Sequence, residues 1–140
     1  MNTKPLNYTK QKTLDALQEY PLKPDYIVSA YAILQCKPES GRTFLNFDKI
    51  NGNVLLDDYN FINSYEVPPT HKERGVCQLL EDIFEAFNMD KPDDFKGHSL
   101  SVSDIVALRT KNGISFHFTD SIGFVELAEE TVALKPEETT

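Results

Sequence analysis

The chain has 140 residues, 40% of them hydrophobic and 26% charged, with nine Phe, six Tyr and no Trp. It is too apolar and aromatic for a wholly disordered polypeptide, and long enough for one domain with a real core. Fourteen Lys and Arg stand against 22 Asp and Glu, a net charge of −8, which repels nucleic acid and anionic membranes unless a local basic face exists. No such face is evident, because the basic residues are scattered and the densest group is Lys4, Lys10 and Lys12.

In chain order, residues 1–24 are polar, with a short helix expected from about Thr9 to Glu19 and stopped by Pro21. Leu14 and Leu17 are its main apolar side chains, so it either docks on the domain or frays. Tyr26–Leu34, rich in β-branched and aromatic residues, reads as a strand, and Pro38-Glu39-Ser40-Gly41 as a turn. Phe44 and Phe47 bracket a short ordered piece, counted as a strand, ending at an Asn51-Gly52-Asn53 turn. Phe61–Val67 is the next strand, closed by Pro68-Pro69.

A helix is predicted from about Lys72 to Asn88. Val76, Leu79, Leu80, Ile83, Phe84 and Phe87 recur at the spacing of one helical face. If all six are fully buried they contribute on the order of 10 kcal/mol of gross hydrophobic stabilisation, so the helix is expected to lie against a sheet. Cys77 beside that face reads as a small buried or half-buried filler. After a turn-rich link come strands over Val102–Leu108 and Ile114–Thr119, joined by Thr110-Lys111-Asn112-Gly113, with Asn-Gly as the hairpin signal. Ile114, Phe116 and Phe118 alternate with Ser115, His117 and Thr119, implying one buried and one wet face. Phe124–Leu127 adds an edge strand, and 129–140 is a polar, acidic tail.

The expected fold is therefore α+β. A single, mostly antiparallel sheet of five to six strands packs on one long amphipathic helix (about 72–88), with a short N-terminal helix in front. The organisation is a polar segment over 1–24, one domain over 25–128 and the tail. Two cysteines, Cys36 and Cys77, make no disulfide framework, the N-terminus has no apolar signal core, and no run approaches the roughly 20 apolar residues of a membrane span. A cytoplasmic protein with reduced thiols is expected.

Chemistry-bearing motifs are sparse. His71, His98, His117 and the cysteines lie far apart without a close ligand pair, so no metal site and no cofactor is expected. Gly97–Asp104 packs His98, Ser99, Ser101, Ser103 and Asp104 into eight residues, but neighbours on one strand face alternate sides, and no nucleophile elbow is present. Ser103 and Asp104 satisfying turn amides is the plainer use. Between Asp57 and Phe95 ten acidic residues stand against three basic ones, nearly the whole net charge. Clustered carboxylates can occupy the basic cleft of a nucleic-acid-binding protein, or simply form the solvated side of a helix and loop.

Leu79, Ile83-Phe84 and Phe87-Asn88, then Pro92–Val106 with Gly97–Val106 as its most specific part, then Asp120-Ser121-Ile122-Gly123-Phe124, resemble the YodL-like domain family. The likeness extends through Tyr59 and Tyr65 towards Tyr31, covering most of 26–128. It implies a module carried by mobile elements and phages of Gram-positive bacteria, often beside antirestriction domains, with no enzyme activity assigned. Gly97 and Gly123 fit turns, and Asp120 suits capping the turn that Ser121 enters.

Two function classes follow. The first is a non-enzymatic binding protein that modulates or inhibits a host defence system, of anti-CRISPR or antirestriction type. It would contact a host nucleic-acid-binding or nuclease complex through Asp57, Asp58, Glu81, Asp82, Glu85, Asp93 and Asp94, without binding nucleic acid or membrane itself. The second is a small ligand-binding or hydrolytic domain centred on His98, Ser99, Ser101, Ser103, Asp104, Asp120 and Ser121. Self-association through an exposed Phe124/Leu127 edge is a third possibility.

Overall fold

A computed structural model describes residues 8–52 and 54–128. Helix α1 (Tyr8–Gln18) precedes β1 (Val28–Cys36) and β2 (Tyr59–Glu66); α2 (Val76–Met89) follows, then β3 (Ile105–Thr110), β4 (Gly113–Thr119) and β5 (Phe124–Glu126). The five strands form one open antiparallel sheet in the order β2-β1-β3-β4-β5. This is the expected α+β class, with five strands among the described residues. The expected ordered piece between Phe44 and Phe47 is loop, not strand. The tail and residues 1–7 lie outside the described residues, as does Asn53 of the expected turn.

Both faces of the sheet are covered. Ala30, Ala32, Leu34, Ile105, Ala107, Phe116 and Phe118 face Leu17 of α1 and the loop residues Ile50, Val54 and Leu56. Ile33, Val106 and Leu108 face Leu79, Leu80, Ile83 and Phe87 of α2, with Leu100 closing the layer. The wet face expected on β4 is thus not found: His117 and Thr119 are buried beside the α2 layer. Alternation reports side-chain polarity, while coverage is decided by what packs above.

The N-terminal helix docks despite its few apolar residues because two threonines point inward with satisfied hydroxyls. Thr9 Oγ1 donates to the Tyr59 carbonyl at 2.9 Å and Thr13 Oγ1 to the Thr9 carbonyl at 2.8 Å. Tyr20 Oη and Ser64 Oγ, 3.0 Å apart, tie the helix exit to β2.

Boundaries moved where local bonds compete with the ladder. β1 starts at Val28 because the amides of Tyr26 and Ile27 donate to Lys23 and Lys72 instead. α2 starts at Val76, after a 3-10 turn over Pro69–His71 and an extended Gly75 cap. β3 starts at Ile105 because Ser101–Asp104 closes a turn first. In the β3–β4 hairpin Lys111 and Asn112 occupy the turn without positive φ, and Gly113 alone takes it (φ 131°). Cys77 is exposed and Cys36 buried, while Leu127 is buried and Phe124 half-buried. Neither of those last two is the exposed edge residue expected.

Candidate functional site

The chain segments of 97–104 and 119–123 meet the C-terminal end of β1 at one end of the sheet, and a buried polar network fills the junction. Its centre is Gln35, 3% exposed. Its Nε2 donates to the His98 carbonyl (2.8 Å) and to Asp104 Oδ2 (3.1 Å), and its Oε1 accepts the His98 amide (3.2 Å). Any Cβ on Gly97 would collide with this carboxamide, which is why a glycine stands there. His98 is exposed; its Nδ1 lies 2.7 Å from the Ser99 carbonyl and 3.3 Å from Gln35 Nε2.

Asp104, 1% exposed, also accepts the Ser101 amide at 2.9 Å. Burial pushes its carboxyl up to about 6, against the opposing pull of the Ser101 amide, the nearby His98 and the Gln35 carboxamide. Ser103 beside it sits at φ 86°, a left-handed conformation that side chains other than glycine adopt at a cost. It is over-determined. Its amide donates to Thr119, its carbonyl accepts Tyr59 Oη at 2.6 Å, and its Oγ accepts the Phe44 amide at 3.1 Å and lies 3.6 Å from Cys36 Sγ. Burial, with Cys36 alongside, raises the Tyr59 phenol well above its ordinary value, so it stays a donor.

Asp120 performs the same task on the next turn. Its Oδ1 accepts the Phe47 amide at 3.1 Å and the Ser121 amide at 2.9 Å, and Asn46 Nδ2 donates to Ser121 Oγ at 3.2 Å. Ser103, Asp120 and Ser121 therefore pin the loop 42–47 from below.

The sequence of the matching region now has a structural counterpart, and the profile of the YodL-like domain matches residues 30–129. The chain belongs to the YodL-like domain family. No curated protein and no solved structure matches it. In this YodL-like chain the family match takes in all five strands from Ala30 onward and α2, and leaves α1 outside.

The candidate residues fall into distinct places. His98, Ser99, Ser101, Ser103 and Asp104 share the network around Gln35, while Asp120 and Ser121 join it through the pinned loop and through the backbone bonds of the adjacent Thr119 to Ser103 and Asp104. A small hollow of about 100 Å³ lies at Asp120, Ser121, Glu81 and Phe84, and His98 is not part of its lining. The Gln35 carboxamide bridges the His98 carbonyl and the Asp104 carboxylate. Among the described residues no group of three or more His, Cys, Asp or Glu could hold a metal ion, and no helix is long and apolar enough to cross a membrane.

The acidic candidates are split three ways. Asp57 and Asp58 lie in the 3-10 turn before β2, where Asp57 Oδ1 is 3.4 Å from the Thr9 amide of α1. Glu81 and Glu85 are exposed on α2, but Asp82 is half-buried and paired with Arg74 (3.3 Å) and His71 (3.6 Å). Asp93 is exposed, and Asp94 Oδ1 accepts Tyr65 Oη at 3.2 Å.

Sequence reasoning missed Gln35, Tyr59 and Phe44. The available signal was an amide residue inside an apolar strand run, since a buried amide demands partners.

Proposed function

We propose that this YodL-like domain is a non-enzymatic binding protein whose contact surface is the pinned loop end of the sheet. The observation that carries it is what the polar residues of 97–104 and 120–121 hold up. Phe44 is 65% exposed at φ 70° and Ile122 is 93% exposed. A bulky aromatic in left-handed backbone costs free energy and persists only where its surroundings enforce it. Two large apolar side chains offered to water by rigid, tied loops have the character of anchors for a partner. Glu81 lies at the rim beside Ser121 and Phe124, and Glu85 is one turn further along α2, so the partner's complementary surface is basic. The occurrence in mobile elements that the family resemblance implies directs the search to host defence complexes, whose nucleic-acid-binding clefts are basic.

The test is capture from host lysate by the tagged wild-type chain, compared with Phe44→Ser/Ile122→Ser and Glu81→Lys/Glu85→Lys variants of unchanged thermal stability. A salt-sensitive partner held by the wild type and lost from both variants supports the reading. Retention of that partner by the apolar double variant refutes the loop end as the contact.

A further inference from the structure

The opposite end of the sheet, at the β3–β4 hairpin, holds a cavity of about 600 Å³ between α1 and the strands. Its polar wall is Lys10 and Gln18 of α1, Arg109 of β3, and Asn112 and Ser115 of the hairpin; Leu14, Ile114 and Phe116 supply an apolar wall. Arg109 follows Ile105 and Ala107 on the α1 face. Its Nε is shut off from solvent without an acceptor, and its side chain makes no hydrogen bond or ion pair with a described residue. Buried donors are as a rule satisfied, and a guanidinium most of all.

Among the described residues, Arg109 Nε is the one cationic side-chain nitrogen buried without an acceptor. The chain carries an excess of eight negative charges, and Lys23, Lys72 and Arg74 each pair with a carboxylate. Lys10 and Arg109 face one cavity unpaired to any described residue, with Glu126 the one carboxylate among its described lining and no ion pair joining it to either cation.

We propose that this cavity binds a small organic carboxylate, with Arg109 as the anchor. The planar guanidinium fork matches a carboxylate through two parallel hydrogen bonds. Lys10 adds a second positive charge, and the apolar wall accepts a short hydrocarbon or ring behind the head group. Two cations against Glu126 leave one net positive charge, so a monoanion is preferred over a phosphate dianion. This site stands apart from the loop end and does not depend on the partner-binding reading.

The experiment is an NMR titration of the full-length, isotope-labelled protein with benzoate, following the Arg109 Nε–H signal and the Gly113–Phe116 amides up to about 20 mM, a range suited to the weak affinity of so small a ligand. Saturable shifts confined to these signals are expected. Arg109→Gln should weaken binding roughly tenfold or more, as loss of a charge-assisted pair implies. Lys10→Gln, on a half-exposed helix position, should weaken it less and keeps the test decisive if the Arg109 variant does not fold. Neutral benzamide should give no saturable shift, and phenyl phosphate should bind more weakly than benzoate. The proposal is overturned by absence of saturable benzoate binding, by equal affinity in Arg109→Gln, by equal affinity for benzamide, or by tighter binding of phenyl phosphate.

Discussion

Replacing Asp104 with Asn isolates the free energy stored in a buried carboxyl. The Asp104 carboxyl is raised from 3.8 to about 6 by burial. An acid whose folded-state pKa is raised binds its proton more tightly folded than unfolded, so stability falls as pH rises between the two values. The wild type should therefore lose stability from pH 4 to pH 6 through this group and level off above. A shift near two units corresponds to about 3 kcal/mol at full extent. Asn resembles the protonated acid in shape and can accept from the Ser101 amide and Gln35, so any fixed difference in hydrogen bonding appears as an offset at pH 4. Urea denaturation of both proteins at intervals from pH 4 to 8, with the wild type subtracted from the variant, cancels the other carboxylates. The difference should climb through pH 4–6 in favour of Asn by up to about 3 kcal/mol. A flat difference, or one that falls with pH, would refute the claim that the network holds Asp104 at the expense of its charge.

Three further outcomes follow from the same geometry. Ser103→Ala loses the acceptor for the Phe44 amide while keeping the left-handed backbone, and should cost about 1–2 kcal/mol; Ser103→Gly loses the same acceptor but relieves φ 86° and should recover about 1 kcal/mol of it, measured as denaturant midpoints. Leu17→Ala, at a fully buried position of α1, should cost about 2–5 kcal/mol, visible as a lower thermal midpoint. His117 has its pKa lowered by burial, partly offset by Glu126; a lowered base loses stability as pH falls through its unfolded value near 6.5. His117→Gln should remove that acid limb in pH-dependent melting.

Local pattern made the strands and the α2 face legible, because β-branched runs and the Leu79–Ile83–Phe87 spacing are properties of adjacent residues. What stayed hidden depends on contacts far apart in the chain. The loop 42–47 resembled a strand fragment, yet its amides are taken by Ser103 and Asp120, 59 and 73 residues away. The docking of α1 was undecided because Thr9 and Thr13 look polar until their hydroxyls are seen to find carbonyls. At the site, the turn-capping uses of Asp104 and Asp120 were readable from residue type, whereas for Gln35 an amide in an apolar strand signals a need for partners without saying which residues supply them. The acidic run 57–94 is continuous in sequence only; the chain crosses the sheet within it, so its members land near α1, on α2 and beside β2.

That dispersal separates two roles for charge and apolar contact at the loop end. Carboxylates spread over a molecule act on an approaching basic partner as a summed field, screened beyond about 8 Å at physiological salt. Such a field governs how often partners meet, while desolvated apolar anchors govern how long they stay. Glu81 and Glu85 are exposed and unencumbered by Arg74, whereas Asp82 is not, so only the first two can be reversed without stranding a cation. Once the partner is in hand, Glu81→Lys/Glu85→Lys should slow association severalfold and flatten its salt dependence with dissociation little changed. Ile122→Ser should instead speed dissociation at nearly constant association. Surface plasmon resonance at low and high salt separates the two rates. The opposite assignment, with charge setting residence time, would mean that the acidic residues form the desolvated centre and Phe44 and Ile122 only its margin.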